Sequence, residues 1–151
     1  MTEPSVKYYS FEELLQEEGF ILYTNVGNSM MPLLRQRKDI IEIRPLTAKP
    51  KKYDVILYKR NNQYILHRIL KVLPGNRYII AGDHNTFLEY DVTDDLILGI
   101  MTRVIRDGKS ICPDNLIYRL YVHLWCDAYP LRMWLIKAKS AMRCYANRIK
   151  K

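Results

Sequence analysis

Short β-rich runs follow one another through residues 20–106, with only turn residues between them. The separators include strong turn signals such as Asn61-Asn62 and Pro74-Gly75-Asn76. Parallel strands need a crossover of helix length, and these connections are too short to hold one. The pattern therefore predicts a mainly β, α+β fold with a coiled, mostly antiparallel sheet. Six strands are predicted, over residues 20–26, 40–44, 55–59, 64–72, 78–81 and 97–105.

A capping box marks the start of a short N-terminal helix. Ser10 precedes the helix and Glu13 stands three positions later, so each side chain can bond the backbone N–H of the other. Gly19 stands where a residue in the left-handed conformation would end the helix. We therefore expect a helix over residues 11–18.

The pattern becomes helical after Pro113. Apolar and aromatic side chains then recur at alternating steps of four and three, which is typical of one helix face. Because Pro130 interrupts the run, we expect two helical pieces or one bent helix. This seam consists of Ile117, Tyr121, Leu124, Ala128, Leu131, Leu135, Ala138, Met142, Tyr145 and Ile149.

Charge divides the chain of 151 residues at Cys112. Of the net charge of +8, +2 belongs to residues 1–112 and +6 to residues 113–151. We expect a β domain with the N-terminal helix over residues 1–112 and a basic amphipathic helical extension over residues 113–151. Charge concentrated in this way is a poor fit to a nucleic-acid-binding surface along the whole chain, so we do not expect a nucleic-acid partner.

Two interpretations of the extension stay open. In the first, its apolar seam packs on the β domain as core. In the second, its tryptophans and basic residues seat it on an anionic membrane surface. The side chains in question are Trp125, Trp134, Arg132, Lys137, Lys139, Arg143, Arg148, Lys150 and Lys151.

Cysteine usage and the N-terminal sequence favour a reducing compartment. Cys112, Cys126 and Cys144 form no C-x-x-C pair and cannot all pair with one another, which favours structural thiols. The first residues are acidic and amphipathic, unlike a secretory signal or a membrane anchor. We expect a cytoplasmic protein, with peripheral membrane attachment as the second interpretation of the extension.

Three local patterns contain the candidate chemistry: residues 27–32 (GNSMMP), 66–68 (LHR) and 81–85 (AGDHN). Ser29 lies in a tight turn after a strand, where its hydroxyl can be presented beside backbone N–H groups. The imidazole of His67 titrates close to neutrality, so it can take the serine proton and return it to a leaving amine. Asp83 is a candidate to orient this imidazole or to stabilise its charged form.

In this order and spacing, the patterns resemble the serine peptidases of the type I signal peptidase and LexA-like superfamily. Residues 29–32 match the S-M-x-P nucleophile box, residues 53–56 (YDVI) are similar to the box before the base-bearing strand, and residues 82–85 resemble the G-D-N-N box. His67-Arg68 resembles the His-Arg form found in archaeal and endoplasmic-reticulum signal peptidases. The resemblance covers residues 27–106, with Gly99 in the closing strand.

This resemblance implies a coiled β domain and a serine endopeptidase with a Ser-His dyad. Ser29 would be the nucleophile, His67 the general base and Asp83 a supporting residue. Glu89 falls near a second acidic residue of the endoplasmic-reticulum enzymes, although residues 86–91 look like a flexible loop in which it could be an ordinary exposed charge. The implied substrate is an extended peptide or protein linker bound beside a β-strand. No cofactor and no metal ion are expected.

The sequence departs from the superfamily pattern in three places. Gly27 stands where many relatives place a serine that helps to hold the oxyanion, so Asn28 or backbone N–H groups would have to serve. His84 replaces the first Asn of the G-D-N-N box and adds a second imidazole. No membrane span precedes the nucleophile box, which favours a peptidase acting on a cytoplasmic peptide.

Two other functions remain as alternatives. The first is a non-catalytic peptide-binding or regulatory module that retains the fold. The second, which the charge distribution disfavours, is a basic scaffold for nucleic acid through the C-terminal extension.

Overall fold

The computed structural model describes residues 10–149, with side chains through residue 142. Several expectations therefore fall outside the described residues or side chains. They concern the N-terminal residues 1–9, the thiol of Cys144, the seam positions Tyr145 and Ile149, and the basic side chains of Arg143, Arg148, Lys150 and Lys151.

Eight β-strands form one sheet in the described part of the chain. The strands are β1 (Ile21–Thr24), β2 (Ile40–Arg44), β3 (Val55–Arg60), β4 (Gln63–Leu73), β5 (Arg77–Ala81), β6 (Glu89–Thr93), β7 (Ile97–Arg106) and β8 (Lys109–Ile111). Their order is β1-β2-β7-β3-β4-β5-β6, and β8 pairs with β7. All of these pairings are antiparallel. The predicted mainly β, mostly antiparallel fold is confirmed.

The sequence analysis missed β6 and β8. The expected loop over residues 86–91 is wrong at its end, because Glu89 begins β6, whose partner β5 supplies the backbone hydrogen bonds. A hairpin places β8 beside β7 through Asp107 and Gly108, both in the left-handed conformation, with φ of 49° and 78°. An Asp-Gly pair between two β-rich runs is a strong hairpin signal, so β8 was readable from the sequence.

Three α-helices flank the sheet in the described residues, and a short 3-10 helix (Asp94–Leu96) precedes β7. The first, α1 (Phe11–Glu17), starts with the predicted capping box: Glu13 N donates to Ser10 Oγ at 3.2 Å and Ser10 N donates to Glu13 Oε2 at 2.8 Å. Residue 19 has the expected positive φ, of 73°. The C-terminal segment forms α2 (Leu116–Asp127) and α3 (Tyr129–Ile149), as predicted from Pro130. None of the helices within residues 10–149 has the length and apolar character needed to cross a bilayer.

The central strand β3 has core on both of its faces. Val55 and Leu57 pack into one cluster, which also includes residues of α1 and α2. Ile56 and Tyr58 point to the other face and pack with residues of β4, β5, β6 and β7. Successive side chains of a strand alternate between faces, so a continuous apolar run is buried only when both faces are covered.

The seam predicted for the C-terminal segment is not the face that packs on the sheet. Helix α2 buries Tyr118, Val122 and Cys126 in the core, whereas the seam residues Ile117 and Leu124 are 79% and 66% exposed. Helix α2 is apolar on two sides. The alternating steps of four and three residues follow the side that includes Ile117 and Leu124, whereas the sheet covers the side that includes Tyr118 and Val122. The expectation of a seam packed as core is therefore wrong for Ile117 and Leu124, whereas the seam residue Tyr121 does pack against the core.

A fully buried ion pair joins β4 to the turn after β5. The Arg68 guanidinium donates from Nε to Asp83 Oδ1 at 2.8 Å and from Nη2 to Oδ2 at 2.7 Å, and both side chains are 0% exposed. Arg68 Nη1 donates to the carbonyl of Tyr53 at 2.8 Å and to the hydroxyl of Tyr118 at 3.0 Å. The two parallel hydrogen bonds between Arg68 and Asp83 form a bidentate pair, which is the strong form of an arginine–carboxylate interaction.

Helix α2 completes the environment of this pair. Tyr121 donates its hydroxyl to Asp83 Oδ2 at 2.9 Å, and Trp125 Nε1 donates to the Asp83 carbonyl at 2.8 Å. Burial and the neighbouring carboxylate raise the pKa of Tyr121, which keeps its hydroxyl a donor. One carboxylate thus fixes the turn after β5 to both β4 and α2.

Substitution Asp83→Asn is expected to lower the free energy of unfolding by about 3–5 kcal/mol, because it leaves the buried Arg68 charge uncompensated. The double substitution Arg68→Met with Asp83→Leu removes both charges and should recover part of this loss. Chemical denaturation of the three proteins measures the difference. A single variant as stable as the wild type would contradict the structural role of this pair.

Candidate active site

The nucleophile turn lies between β1 and β2. Met30 is fully buried and anchors the turn in the core, while Ser29 is half-buried beside it. The Asn25 side chain donates to the carbonyl of Gly27 at 2.7 Å, and Met31 N donates to the carbonyl of Asn28 at 3.1 Å. The backbone that presents Ser29 is therefore held on both sides of the serine.

A buried carboxylate holds the chain that follows this turn. Asp39 is 0% exposed and accepts the backbone N–H of Arg35 at 2.8 Å, Arg35 Nε at 2.9 Å and Arg106 Nη2 at 2.6 Å. Burial acts to raise the pKa of Asp39, but the hydrogen bonds from Arg106 and Arg35 outweigh it and leave that pKa below its usual value. The network fixes the return of the nucleophile loop to β2.

The imidazole of His67 lies on β4 and is 5% exposed. Its Nδ1 is 2.6 Å from Glu89 Oε1, so this nitrogen carries the proton and donates a hydrogen bond to the carboxylate. Its Nε2 is left as the acceptor and faces Asn85 Nδ2 at 3.4 Å. This tautomer presents a lone pair at Nε2, as a general base requires.

Glu89 is held in place through its other oxygen. Tyr58 donates its hydroxyl to Oε2 at 2.8 Å, and Arg60 Nη1 donates to the same atom at 2.9 Å. Burial and the contact with Glu89 raise the pKa of Tyr58, so the phenol stays protonated as a donor. The carboxylate therefore has a fixed position from which to orient the ring of His67.

The charge state of His67 follows from its burial. Burial lowers the pKa of this imidazole, and the effect exceeds the opposing attraction of the Glu89 and Asp83 carboxylates. The pKa lies below the ordinary histidine value as a result. At neutral pH the ring is therefore neutral and able to accept a proton.

The turn after β5 contacts both the backbone of Ser29 and the ring of His67. His84 N donates to the carbonyl of Ser29 at 2.7 Å. A Cβ added at Gly82 would lie 2.5 Å from that carbonyl oxygen and 3.0 Å from the Asn85 side chain, which itself faces His67. Only glycine allows so close an approach of the two segments.

Within the described residues, the Ser29 hydroxyl makes no hydrogen bond, and the side-chain amide of Asn85 faces Nε2 of His67. A separation of 3.4 Å is long for a hydrogen bond between nitrogens, so this contact is weak and displaceable. Catalytic hydrogen bonds in unliganded sites are often long and tighten when substrate binds.

The structure gives Glu89 the orienting contact that the sequence analysis offered first to Asp83. The Asp83 carboxylate is bound to Arg68 and Tyr121, and it acts on His67 only through its charge. His67 and Glu89 are in contact, and Ser29 is connected to them through the turn after β5. Asn28 is exposed in the nucleophile turn. The half-buried His84 lines a separate cleft with Met31, Pro32, Trp125, Leu135, Ile136 and Lys139.

The sequence analysis gave no role to three residues that complete this environment: Tyr58, Arg60 and Asn85. The two-residue turn Asn61-Asn62 has positive φ at both positions, which is typical of a tight hairpin. It fixes the register of β3 on β4, in which Ile56 pairs with His67 and Tyr58 with Ile65. Tyr58 is then a diagonal neighbour of His67 on one face, so the hairpin signal was sufficient to find it.

A cleft of about 240 Å³ opens beside Ser29. It runs between the loop at residues 25–29 and the start of β4, and its lining combines apolar and aromatic residues with the polar residues Asn25 and Ser29. The start of β4 pairs with β3 on one side, while pairing with β5 on the other side begins only at Arg68. An unpaired strand edge therefore lies next to the candidate nucleophile. The cleft is lined by Phe11, Tyr23, Asn25, Val26, Gly27, Ser29, Leu57, Tyr64, Ile65 and Leu66.

Comparison with the sequence patterns of known protein families matches none of them, and a search of curated proteins finds no significant relative.

Two glycine substitutions test the close approach at the site. Gly82→Ala is expected to destabilise the protein by about 1–3 kcal/mol, because the new methyl group collides with the Ser29 carbonyl. Gly27→Ala is the matched control in the nucleophile turn, since an added Cβ there meets no atom within 4 Å. Thermal unfolding of both variants gives the comparison. Equal stability of the two would contradict the packing described for Gly82.

Proposed function

We propose that this protein is a serine endopeptidase in which Ser29 is the nucleophile and His67 the general base, with Glu89 as the residue that positions the base. The observation that carries the proposal is the Nδ1 contact of His67 with Glu89 at 2.6 Å, which leaves Nε2 as the acceptor. Nε2 faces Asn85 in the turn after β5, and His84 N in that turn donates to the Ser29 carbonyl. The resemblance of the three sequence patterns to signal-peptidase-like enzymes supports the same roles.

The chemistry follows the usual course of acyl transfer. Ser29 Oγ attacks the carbonyl carbon of the scissile peptide while His67 Nε2 takes the hydroxyl proton. The imidazolium then gives this proton to the departing amine, which leaves an acyl ester on the serine. Water repeats the sequence with the same base and releases the carboxylate product. Glu89 stabilises the transient imidazolium and keeps its ring in one orientation.

Backbone N–H groups are the candidates to hold the oxyanion. Gly27 offers no hydroxyl, and the Asn28 side chain lies in an exposed position. The N–H of Ser29 donates to no described residue, so it is available for the negative oxygen of the tetrahedral intermediate. One such donor in an oxyanion hole contributes about 10²- to 10³-fold to kcat.

The substrate is proposed to be an extended peptide or a protein linker. Such a segment can add as a strand to the unpaired edge at the start of β4 and place one side chain in the cleft beside Ser29. Phe11, Tyr23 and Tyr64 line that cleft, so it offers aromatic surface to a substrate side chain. Cys112 and Cys126 are both free thiols, which supports a cytoplasmic substrate.

A second candidate function is a non-catalytic module that captures a peptide without cutting it. The contact of Asn85 with His67 Nε2 favours this alternative, because the amide stands where a serine hydroxyl would have to donate. The same cleft and strand edge would then bind the peptide. The two candidates differ only in whether the bound peptide is cleaved.

Cleavage is tested by mass spectrometry of newly formed peptide N-termini in a cell extract incubated with purified protein. Ser29→Ala and His67→Ala are each expected to reduce cleavage by about 10³-fold or more, because each removes one member of the dyad. Ser110→Ala, an exposed serine on β8, is the matched control and should cut like the wild type.

The outcomes separate the two functions. New termini that appear with wild type and Ser110→Ala but not with Ser29→Ala support the peptidase. Identical termini with wild type and Ser29→Ala contradict it, and a peptide retained by both proteins then identifies the binding module. Loss of cleavage in His84→Ala with retention in His67→Ala would move the role of base to the second imidazole.

The pH dependence of cleavage tests the role of Glu89. This carboxylate raises the pKa of His67, so Glu89→Gln should lower that pKa further. The neutral base then persists to lower pH, and the acid limb of the rate profile moves down from a position already below about 6.5. We also expect kcat to fall by roughly 10²- to 10⁴-fold, because the ring loses its orienting acceptor. A reduced rate with an unmoved acid limb would contradict the contact.

A further inference from the structure

Helices α2 and α3 each expose a continuous apolar stripe. On α2 the stripe consists of Leu116, Ile117, Leu120 and Leu124, which are between 59% and 79% exposed. On α3 it consists of Leu131, Trp134, Leu135 and Met142, which are between 44% and 65% exposed. Their spacings of three, four and seven residues put the members of each stripe on one helix face. Exposed apolar area of this extent is typical of an interaction surface.

Another side of α3 is anchored to the β domain. Arg132 is 2% exposed, and its Nη2 lies 3.4 Å from the carbonyl oxygens of Gly82 and Asn85. The guanidinium also lies over the ring of Tyr129, 4.5 Å from its centroid. Arg132 thus ties α3 to the turn after β5, while the residues of the stripe stay exposed.

Two clefts lie beside the stripes. One is lined by Ile117 and Tyr121 of α2, and the other by Leu135 and Ile136 of α3. Both include the exposed Pro32, so this residue borders a cleft beside each helix. We name the two stripes together with Pro32 the helical face.

The charge around the helical face is mainly positive. The segment that forms α3 contains no Asp or Glu, and residues 113–151 together carry a net charge of +6. Lys137 and Lys139 are exposed and lie on α3 beside the stripe. An apolar stripe edged by lysine is complementary to a lipid surface with anionic headgroups.

We propose that the helical face binds the surface of an anionic lipid bilayer, with the apolar stripes in the headgroup region and the basic residues against the lipid phosphates. No described helix is apolar enough to span a bilayer, so α2 and α3 lie along it. A second copy of the chain fits less well, because two faces of the same strong positive charge repel each other. The proposal does not depend on peptidase activity.

Co-sedimentation of the full chain with vesicles tests this proposal. Wild-type protein is expected to bind vesicles of equimolar phosphatidylglycerol and phosphatidylcholine, and to bind phosphatidylcholine vesicles at least about tenfold more weakly. Binding to the anionic vesicles should decline as salt is raised, because counterions screen the attraction.

Matched variants connect the binding to the helical face. Trp134→Ser with Leu135→Ser removes two exposed apolar side chains, of 64% and 44% exposure, and should weaken binding at least about tenfold. Phe87→Ser with Val72→Ser, at 59% and 45% exposure, removes a comparable area elsewhere on the surface and should bind like the wild type. All four positions are solvent-exposed, so both variants are expected to fold.

A variant with two lysines neutralised tests the electrostatic part of the proposal independently. Lys137→Gln with Lys139→Gln should reduce the preference for phosphatidylglycerol while leaving the apolar stripe intact. The proposal is overturned if wild type fails to bind anionic vesicles at low salt, or if the Trp134 and Leu135 variant binds as well as the wild type. Concentration-dependent dimers that this variant abolishes, without vesicle binding, would assign the face to a second copy instead.

Discussion

The buried pair of Arg68 and Asp83 is the interaction on which the arrangement of the site depends. Two charges with no exposure to water are tolerable only when each is fully hydrogen-bonded, and here β4, the turn after β5 and α2 all supply partners. Through the backbone of that turn the pair determines where His84 meets Ser29 and where Asn85 meets His67. The pair therefore affects the candidate chemistry indirectly, by fixing the position of the turn that contacts Ser29 and His67.

The sheet was predictable because its signals are local. Strands close in sequence with tight turns between them must pair antiparallel, and α1 starts and ends where its capping residues indicate. Strand β6 was not predictable in this way, since it is short and polar and depends on β5 for its hydrogen bonds. The packing of α2 was also beyond the sequence, because the helix has two apolar sides and only the sheet decides which is covered.

The candidate site also has a part that the sequence predicts and a part that it does not. Ser29 and His67 stand in recognisable local patterns, and the hairpin register was enough to place Tyr58 beside the histidine. The choice between Asp83 and Glu89 as the orienting acid was not readable, because it depends on which carboxylate the buried Arg68 takes. Once Arg68 holds Asp83, Glu89 is the carboxylate that contacts the imidazole, with Tyr58 and Arg60 on its second oxygen.

A neutral imidazole with its proton on Nδ1 is the central feature of the proposed chemistry. The most direct measurement is the pair of ring-nitrogen chemical shifts of His67, followed by NMR on the whole chain as pH is varied. We expect a protonated Nδ1 and an unprotonated Nε2 at neutral pH, with titration below the ordinary histidine pKa. A proton on Nε2, or an imidazolium at neutral pH, would contradict this description, because neither form leaves a lone pair on Nε2 to accept the proton of Ser29.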